Sequence, residues 1–356
     1  MASSTSKKPV VAVTGLEGRE NPYPGLSIAK ALRDARGDAI KIIGLAYEPT
    51  LTGNFRDDLF DTVYLTPLPG DPAATLMKRL REINKECPID LLIPALDSEL
   101  ALFSLHRQEL SDMGIEMVIP SPESVKNRYK QRLPHWAAER GLHSPATEVV
   151  TDPKTFWKQE DWDFPCWLKG SLADAYRVKS QEEAEIVAKR IVDQWGYPVL
   201  AQKEVVGEEY DICAVVRPGG DPLAMITIRK TVLSAAGKAI GAVVVDDPEA
   251  EAAGLKFLAE LDWEGPLELE MMREHSSGRY HLVEVNARFP AWIGMGPGTG
   301  LNLPDLLVRL GLGEDLPETI ASPTAGTMFL RSTHTKLGRV TDLGDLLANG
   351  KLELQK

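Results

Sequence analysis

The sequence predicts an α/β protein that opens on a parallel sheet, and three observations carry that prediction. Residues 9–120 alternate short apolar runs with amphipathic helical stretches, the pattern of parallel strands with helices on both faces. Further along, two strand pairs fold back across tight turns: Asp211–Arg217 with Leu223–Arg229, and the runs flanking Glu274–Gly278. Finally, 356 residues are too many for one compact core and suit two or three lobes, at about 100–200 residues each.

Taken in order, Pro9–Val13 is an apolar strand that ends at Thr14-Gly15. Ile28, Ala31, Leu32 and Ala35 then share one face of a helix over Ser27–Ala35, with Gly37 as its stop. The strand Ala39–Leu45, the loop Tyr47–Asp61, the strand Thr62–Leu65 and the helix Ala73–Lys85 follow. Strand Leu91–Pro94, helix Glu99–Met113 and strand Met117–Ile119 complete the block. The first turn, Thr14 to Arg19, lacks the G-x-G-x-x-G order, and no acid closes the second strand. A nicotinamide-dependent oxidoreductase is therefore not indicated. That turn, enlarged by Asn21–Gly25, and the turn Pro94–Glu99 both follow strand carboxyl ends, where such sheets bind ligands. The same residues also read as ordinary βα turns with helix caps at Asp97 or Ser98.

Ser121-Pro122-Glu123-Ser124 caps a helix over Glu123–Leu133, and His135–Arg140 reads as another. Gly141–Phe164, rich in Pro, Thr and Asp, is a connector into a new lobe. There the strand Cys166–Leu168 ends at Lys169, before the small-residue loop Gly170–Ala175. A lysine in that position suits phosphate oxygens, and equally suits simple exposure at a strand end. Strand Tyr176–Lys179, helix Gln181–Trp195 and a strand from Tyr197 into the linker Gln202–Val206 come next. Helices Ala250–Leu261 and Leu303–Leu310, a strand-like Thr327–Ser332 and the basic stretch His334–Arg339 finish the chain, the last reading as a solvated tail.

Composition narrows the class. Hydrophobic residues make up 43% and charged residues 26%, with no apolar stretch of membrane-spanning length, so a globular chain without a membrane partner is expected. With 40 basic against 52 acidic residues, a net charge of −12 and no basic run, nucleic acid is not an expected partner. Cys87, Cys166 and Cys213 form no CxxC and read as buried structural thiols. The opening MASSTSKKPV lacks the apolar centre of a signal peptide, and both features suit a cytoplasmic location.

The densest chemistry lies in Gly265–Gly296. Alternation puts Glu268 and Glu270 on one face, opposite Leu267, Leu269 and Met271, and puts Glu284 and Asn286 on a face with Leu282, opposite Val283 and Val285. Carboxylates and an amide oxygen converging across a hairpin are donors of the kind Mg²⁺ takes beside phosphates, and Arg288 follows as a cation. A solvent-exposed acidic face is the alternative reading of the same pattern.

In this order the pieces resemble the ATP-grasp superfamily, in its branch near carbamoyl-phosphate synthase, over nearly the whole chain. The carrying segments are Glu270 with Glu284-Val285-Asn286-Ala287-Arg288-Phe289-Pro290, and Gln202-Lys203-Glu204-Val205-Val206-Gly207-Glu208-Glu209-Tyr210. The resemblance implies an ATP-grasp fold: a parallel α/β domain over 1–120, an N-lobe with connecting helices over 121–200, a C-lobe with the metal site over 201–325, and an extension over 326–356. It implies ATP and Mg²⁺, with Mn²⁺ as a substitute, and an ADP-forming carboxylate–amine ligase working through an acylphosphate. Lys169 corresponds to a lysine on the α- or β-phosphate, and Gln202, Lys203, Glu204 and Val205 to the segment whose backbone holds adenine. Glu209 corresponds to the ribose ligand, Glu270, Glu284 and Asn286 to the metal ligands, and Arg288 to an arginine near the γ-phosphate and acyl group. Arg229 or Lys230 would add charge at the triphosphate. One departure is the loop after Lys169, Gly-Ser-Leu-Ala-Asp-Ala-Tyr, where relatives carry several glycines. A non-catalytic nucleotide-binding protein is the other class considered, and the joint presence of Lys169, Glu270, Glu284, Asn286 and Arg288 favours the enzyme. The implied partners are a small-molecule or peptide carboxylate and an amine. Homodimers are common among such relatives, and no residue pattern here encodes one.

Overall fold

The computed structural model describes residues 8–18, 22–158, 162–170, 174–233, 239–332 and 335–354. The chain opens with β1 (Val10–Val13), α1 (Pro24–Arg36), β2 (Lys41–Ala46), β3 (Thr62–Leu65), α2 (Ala73–Glu86) and β4 (Leu91–Ile93). These strands pair in parallel, β1 between β2 and β4 and β2 beside β3, with all four residues of β1 buried. Runs apolar on both faces need helices on both sides, which the intervening helices supply.

The expected helix Glu99–Met113 is two, α3 (Asp97–Leu105) and α4 (Arg107–Ser111). The break falls at His106; Leu105 stands in solvent while Phe103 and Leu110 are buried in the core. Met117–Ile119 forms no ladder; only a bridge from Leu91 to Glu116 remains. This segment packs instead against Gly265, which sits at φ 88° where a Cβ would stand 2.2 Å from the carbonyl oxygen of Val118. The next helix is also shorter than expected. It is α5 (Pro122–Asn127), separated from α6 (Leu133–Ala138) by a turn carrying Arg128 and Lys130 toward the other sheets.

A second sheet, antiparallel throughout, comprises β5 (Thr147–Val150), β6 (Cys166–Gly170), β7 (Ala175–Val178) and, after α7 (Gln181–Trp195), β8 (Val199–Lys203), in the order β5-β8-β6-β7. Its apolar side packs on α7 through Leu168, Val178, Ala188 and Ile191. The third sheet follows: β9 (Gly207–Val216), β10 (Pro222–Leu233), β11 (Ala239–Val244), α8 (Pro248–Glu260), β12 (Gly265–Glu274) and β13 (Tyr280–Asn286). Then α9 (Leu303–Leu312) and β14 (Met328–Leu330) give the order β13-β12-β9-β10-β11-β14.

The described residues of the basic stretch, 335–339, are exposed, as a solvated segment requires, but the chain beyond them is not loose. α10 (Val340–Asn349) and β15 (Lys351–Glu353) return to the first sheet, where β15 pairs antiparallel with β3 and Leu346 is fully buried. Lys336 pairs with Asp57 at 2.6 Å on the way, while His334 lies outside the described residues. All three cysteines are buried and free. Among the described residues no helix is long and apolar enough to cross a membrane.

Candidate active site

Register decides which side chains of the third sheet meet. Asp211 on β9 stands opposite Glu270 on β12, and Cys213 opposite Glu268. Across the next ladder Glu270 faces Glu284 and Glu268 faces Asn286. One face of the sheet therefore carries Glu209, Asp211, Glu268, Glu270, Glu284 and Asn286. The other face carries Ile212, Leu267, Leu269 and Met271 into the core beside Phe257 and Leu258 of α8. Alternation alone puts Leu282 with Glu284 and Asn286, but the structure puts it in the core with Val285. The register shifts between the Glu270–Glu284 and Met271–Leu282 pairs, so Val283 is a bulge residue, and such bulges re-aim the side chains beside them. Gly207 opens β9 where a Cβ would lie 2.0 Å from the carbonyl of Arg273, so only glycine lets the strand begin there.

Sheltered carboxylates need counter-charges, since burying unpaired charge is costly. Lys230 supplies most of them. Its side chain is 5% exposed and lies 2.5 Å from Glu209, 3.1 Å from Asp211 and 3.3 Å from Glu270. Neighbouring Arg229 is 43% exposed and pairs with Glu208 at 3.0 Å instead, so Lys230 is the cation within the carboxylate group. Arg288 reaches Asp97 at 2.9 Å and Glu268 at 3.3 Å, and Lys130 reaches Glu284 at 3.0 Å. Asp97 is held a second time by Arg128, also at 2.9 Å. Asn286 donates to Glu268 and Glu270, and Trp292 donates its indole N–H to Glu268.

These contacts set the protonation pattern. Burial pushes Glu270 up, but the ammonium of Lys230, then Lys169 and Arg288, outweigh it and hold the carboxyl at about 2. Asp211 goes the other way: burial raises it well above the usual range, with Lys230 opposing and Glu268 and Glu270 adding to the rise. Lys169 at the end of β6 is buried and makes no ion pair among the described residues, and burial lowers its pKa to about 8.

The two antiparallel sheets, with Asp97 and Lys130, line a cleft of about 870 Å³ whose walls include Lys169, Lys230, Glu270 and Arg288. Gln202, Lys203, Glu204 and Val205 line it as well. The side chains of the first three are engaged elsewhere: Gln202 donates to Thr147, Lys203 lies 5.9 Å from the ring centre of Trp162, and Glu204 takes a two-pronged ion pair from Arg177. Of the small-residue loop, residues 171–173 lie outside the described residues, as does Asn21 of the first turn. Its ends meet through Gly170 N–H to Asp174 C=O at 3.1 Å, with Asp174 at φ 65° and its carboxylate bound by Trp195.

Lys169, Gln202, Lys203, Glu204, Val205, Glu209, Arg229, Lys230, Glu270, Glu284, Asn286 and Arg288 thus border one cleft, whereas of the described residues in the two βα turns only Asp97 does. Glu268 was legible only as a member of the alternation and Asp211 only as the start of a strand, and Lys130 and Arg128 carried no signal, because they sit in a stretch that reads as helix. Glu209, Asp211 and Glu270 bring one oxygen each to within 4.8 Å of one another, while Glu284 stands directly across from Glu270. The donors are all oxygens, which fits Mg²⁺ and not a soft metal.

No family model matches the chain. Solved structures do. The L-amino acid ligase of Bacillus licheniformis superposes with a TM-score of 0.63 at 15% identity, over 86% of this chain and 75% of that one. The N5-carboxyaminoimidazole synthase of Aspergillus clavatus, in complex with ADP and its ribonucleotide, superposes at 0.67 and 15% identity, over 91% and 81%. The biotin carboxylase of Campylobacter jejuni does so at 0.67 and 12% identity, over 89% and 74%. The chain has the ATP-grasp fold. The β5-β8-β6-β7 sheet (the N-lobe) and the β13-to-β14 sheet (the C-lobe) both line the cleft.

Proposed function

We propose that the cleft binds MgATP and that the protein is an ADP-forming ligase, joining a carboxylate to an amine or similar nucleophile. The observation that carries this reading is the meeting, in one cleft, of Glu270, Glu284 and Asn286 of the C-lobe sheet with the cations Lys130, Lys169 and Arg288. In the proposed reaction a substrate carboxylate oxygen forms a bond to the γ-phosphorus as the bond to ADP breaks. The amine nitrogen then attacks the acyl carbon, phosphate leaves, and the amine's proton passes to phosphate or solvent. Lys169 and Lys130 hold phosphate oxygens, and Arg288, kept charged by Asp97 and Glu268, neutralises the charge that gathers on the transferred group. Glu270, Glu284 and Asn286 would hold Mg²⁺, which supplies charge neutralisation at the phosphates. The main chain of Lys203–Val205 would take adenine, and Glu209 the ribose once Lys230 yields it. Sheltering by the two lobes keeps water from the acylphosphate.

The test is ADP release from MgATP with pooled amino acids and other carboxylates, comparing the wild type with Glu284→Ala. Substrate-stimulated ADP formation that disappears in the variant is expected. Tight MgATP binding without turnover in any pool would overturn the ligase in favour of a non-catalytic nucleotide-binding protein.

A further inference from the structure

The chain enters the N-lobe between His143 and Thr147 and leaves it between Lys203 and Gly207. Both crossings are pinned to the β12–β13 hairpin. The carbonyl of His143 accepts from Leu282 N–H at 2.8 Å, and that of Val206 accepts from His275 N–H at 3.0 Å. The crossings are also joined to each other, through Lys203 N–H to Ala146 C=O at 2.9 Å. This is the hinge on which the N-lobe would turn, and it carries chemistry that the nucleotide reading does not use.

The rings of His143 and His281 lie side by side there, with centres 5.6 Å apart and planes inclined at 40°. Nε2 of His281 is 3.6 Å from the carboxylate of Glu274, beyond a hydrogen bond. Both ring nitrogens of His281 are shielded from solvent, and neither has a hydrogen-bond partner among the described residues. Burial lowers the pKa of His281 more than Glu274 raises it, so the ring is neutral and keeps a lone pair. Two imidazoles sharing one tetrahedral ion at Zn–N distances of ~2.0–2.1 Å hold their ring centres roughly 5 Å apart, close to the spacing seen. The ligand atoms of His143, His281 and Glu274 do not all lie within 4.8 Å of one another, and the solvent-exposed ring of His143 would turn to bring its nitrogen to the ion.

We infer that His143, His281 and Glu274 form a site for a divalent cation of the Zn²⁺ type at the hinge, apart from the oxygen-only cleft. Imidazole donors select such an ion over Mg²⁺, which takes oxygen ligands. A bound ion would tie the chain crossing into the N-lobe to the C-lobe hairpin through side chains as well as main chain. Lobe movement, and with it nucleotide exchange, would then slow.

The experiment is a Zn²⁺ titration against a chromophoric chelator, in excess Mg²⁺ to occupy the carboxylates of the cleft. Wild type is compared with His143→Ala, His281→Gln and Glu284→Ala. The wild type and Glu284→Ala are expected to hold one Zn²⁺, with affinity reduced more than about tenfold in each histidine variant. Because His143 is exposed, its variant retains the fold, checked by an unchanged metal-free melting temperature. No Zn²⁺ held by the wild type in excess Mg²⁺, or His143→Ala binding as the wild type does, would overturn the site. So would loss of the ion in Glu284→Ala alone. The readout is binding, so it stands or falls separately from any ligase activity.

Discussion

At neutral pH Lys169 carries a proton that burial works to remove, with Glu284 the largest charge opposing the loss; the balance falls at about 8. A bound triphosphate favours the ammonium and would restore a more ordinary lysine pKa. MgATP affinity should therefore be constant below pH 8 and fall as pH rises through it, by up to tenfold per unit until the pKa of the complex is passed. Isothermal titration across pH 7–10 checks this, and Lys169→Arg should flatten the profile. Asp97 gives a second residue-scale prediction. Burial would raise its pKa, but Arg288, Arg128 and Lys130 together hold it below the usual aspartate value. A depressed carboxyl stabilises the fold above its unfolded-state pKa, and that contribution is lost as pH falls through the folded-state value. Asp97→Asn should cost about 3–5 kcal/mol at neutral pH, since it leaves Arg288 and Arg128 with one fewer charge partner, and should shrink the acid-induced loss of stability in urea melts.

At the scale of elements, the β12–β13 hairpin was readable because a period of two is hard to mistake. Glu268 and Glu270 on one side and Leu267, Leu269 and Met271 on the other lie as alternation requires. What alternation cannot encode is a slipped register. The bulge at Val283 sends Leu282 inward with Val285, and nothing in YHLVEVN marks it. Arg128 and Lys130 were hidden for a related reason: the turn between α5 and α6 exists to satisfy charges on Asp97 and Glu284, which are distant in sequence. The same holds for α10 and β15, short segments whose stability comes from the surface they cover. Leu346→Ala should therefore lower stability by about 2–5 kcal/mol, because the side chain is wholly buried against the first sheet's end of the molecule, while Leu347→Ala, exposed one residue on, should change it little. Chemical denaturation of the two variants separates them.

For the molecule as a whole, two lobes and a cleft of about 870 Å³ predict linkage between nucleotide and stability. MgATP at 100 times its Kd should add about 2.7 kcal/mol to the folded state and raise the melting temperature accordingly. Glu270→Ala should abolish most of that shift, which differential scanning fluorimetry reads directly. The return of β15 to β3 has a consequence of a different kind. The first sheet is completed by β15, which is synthesised after both lobes that separate it from its partner β3. On the ribosome the opening domain must wait with the β3 edge unpaired while both lobes are synthesised, so this edge is where a nascent chain would be most exposed to mispairing and most in need of a chaperone.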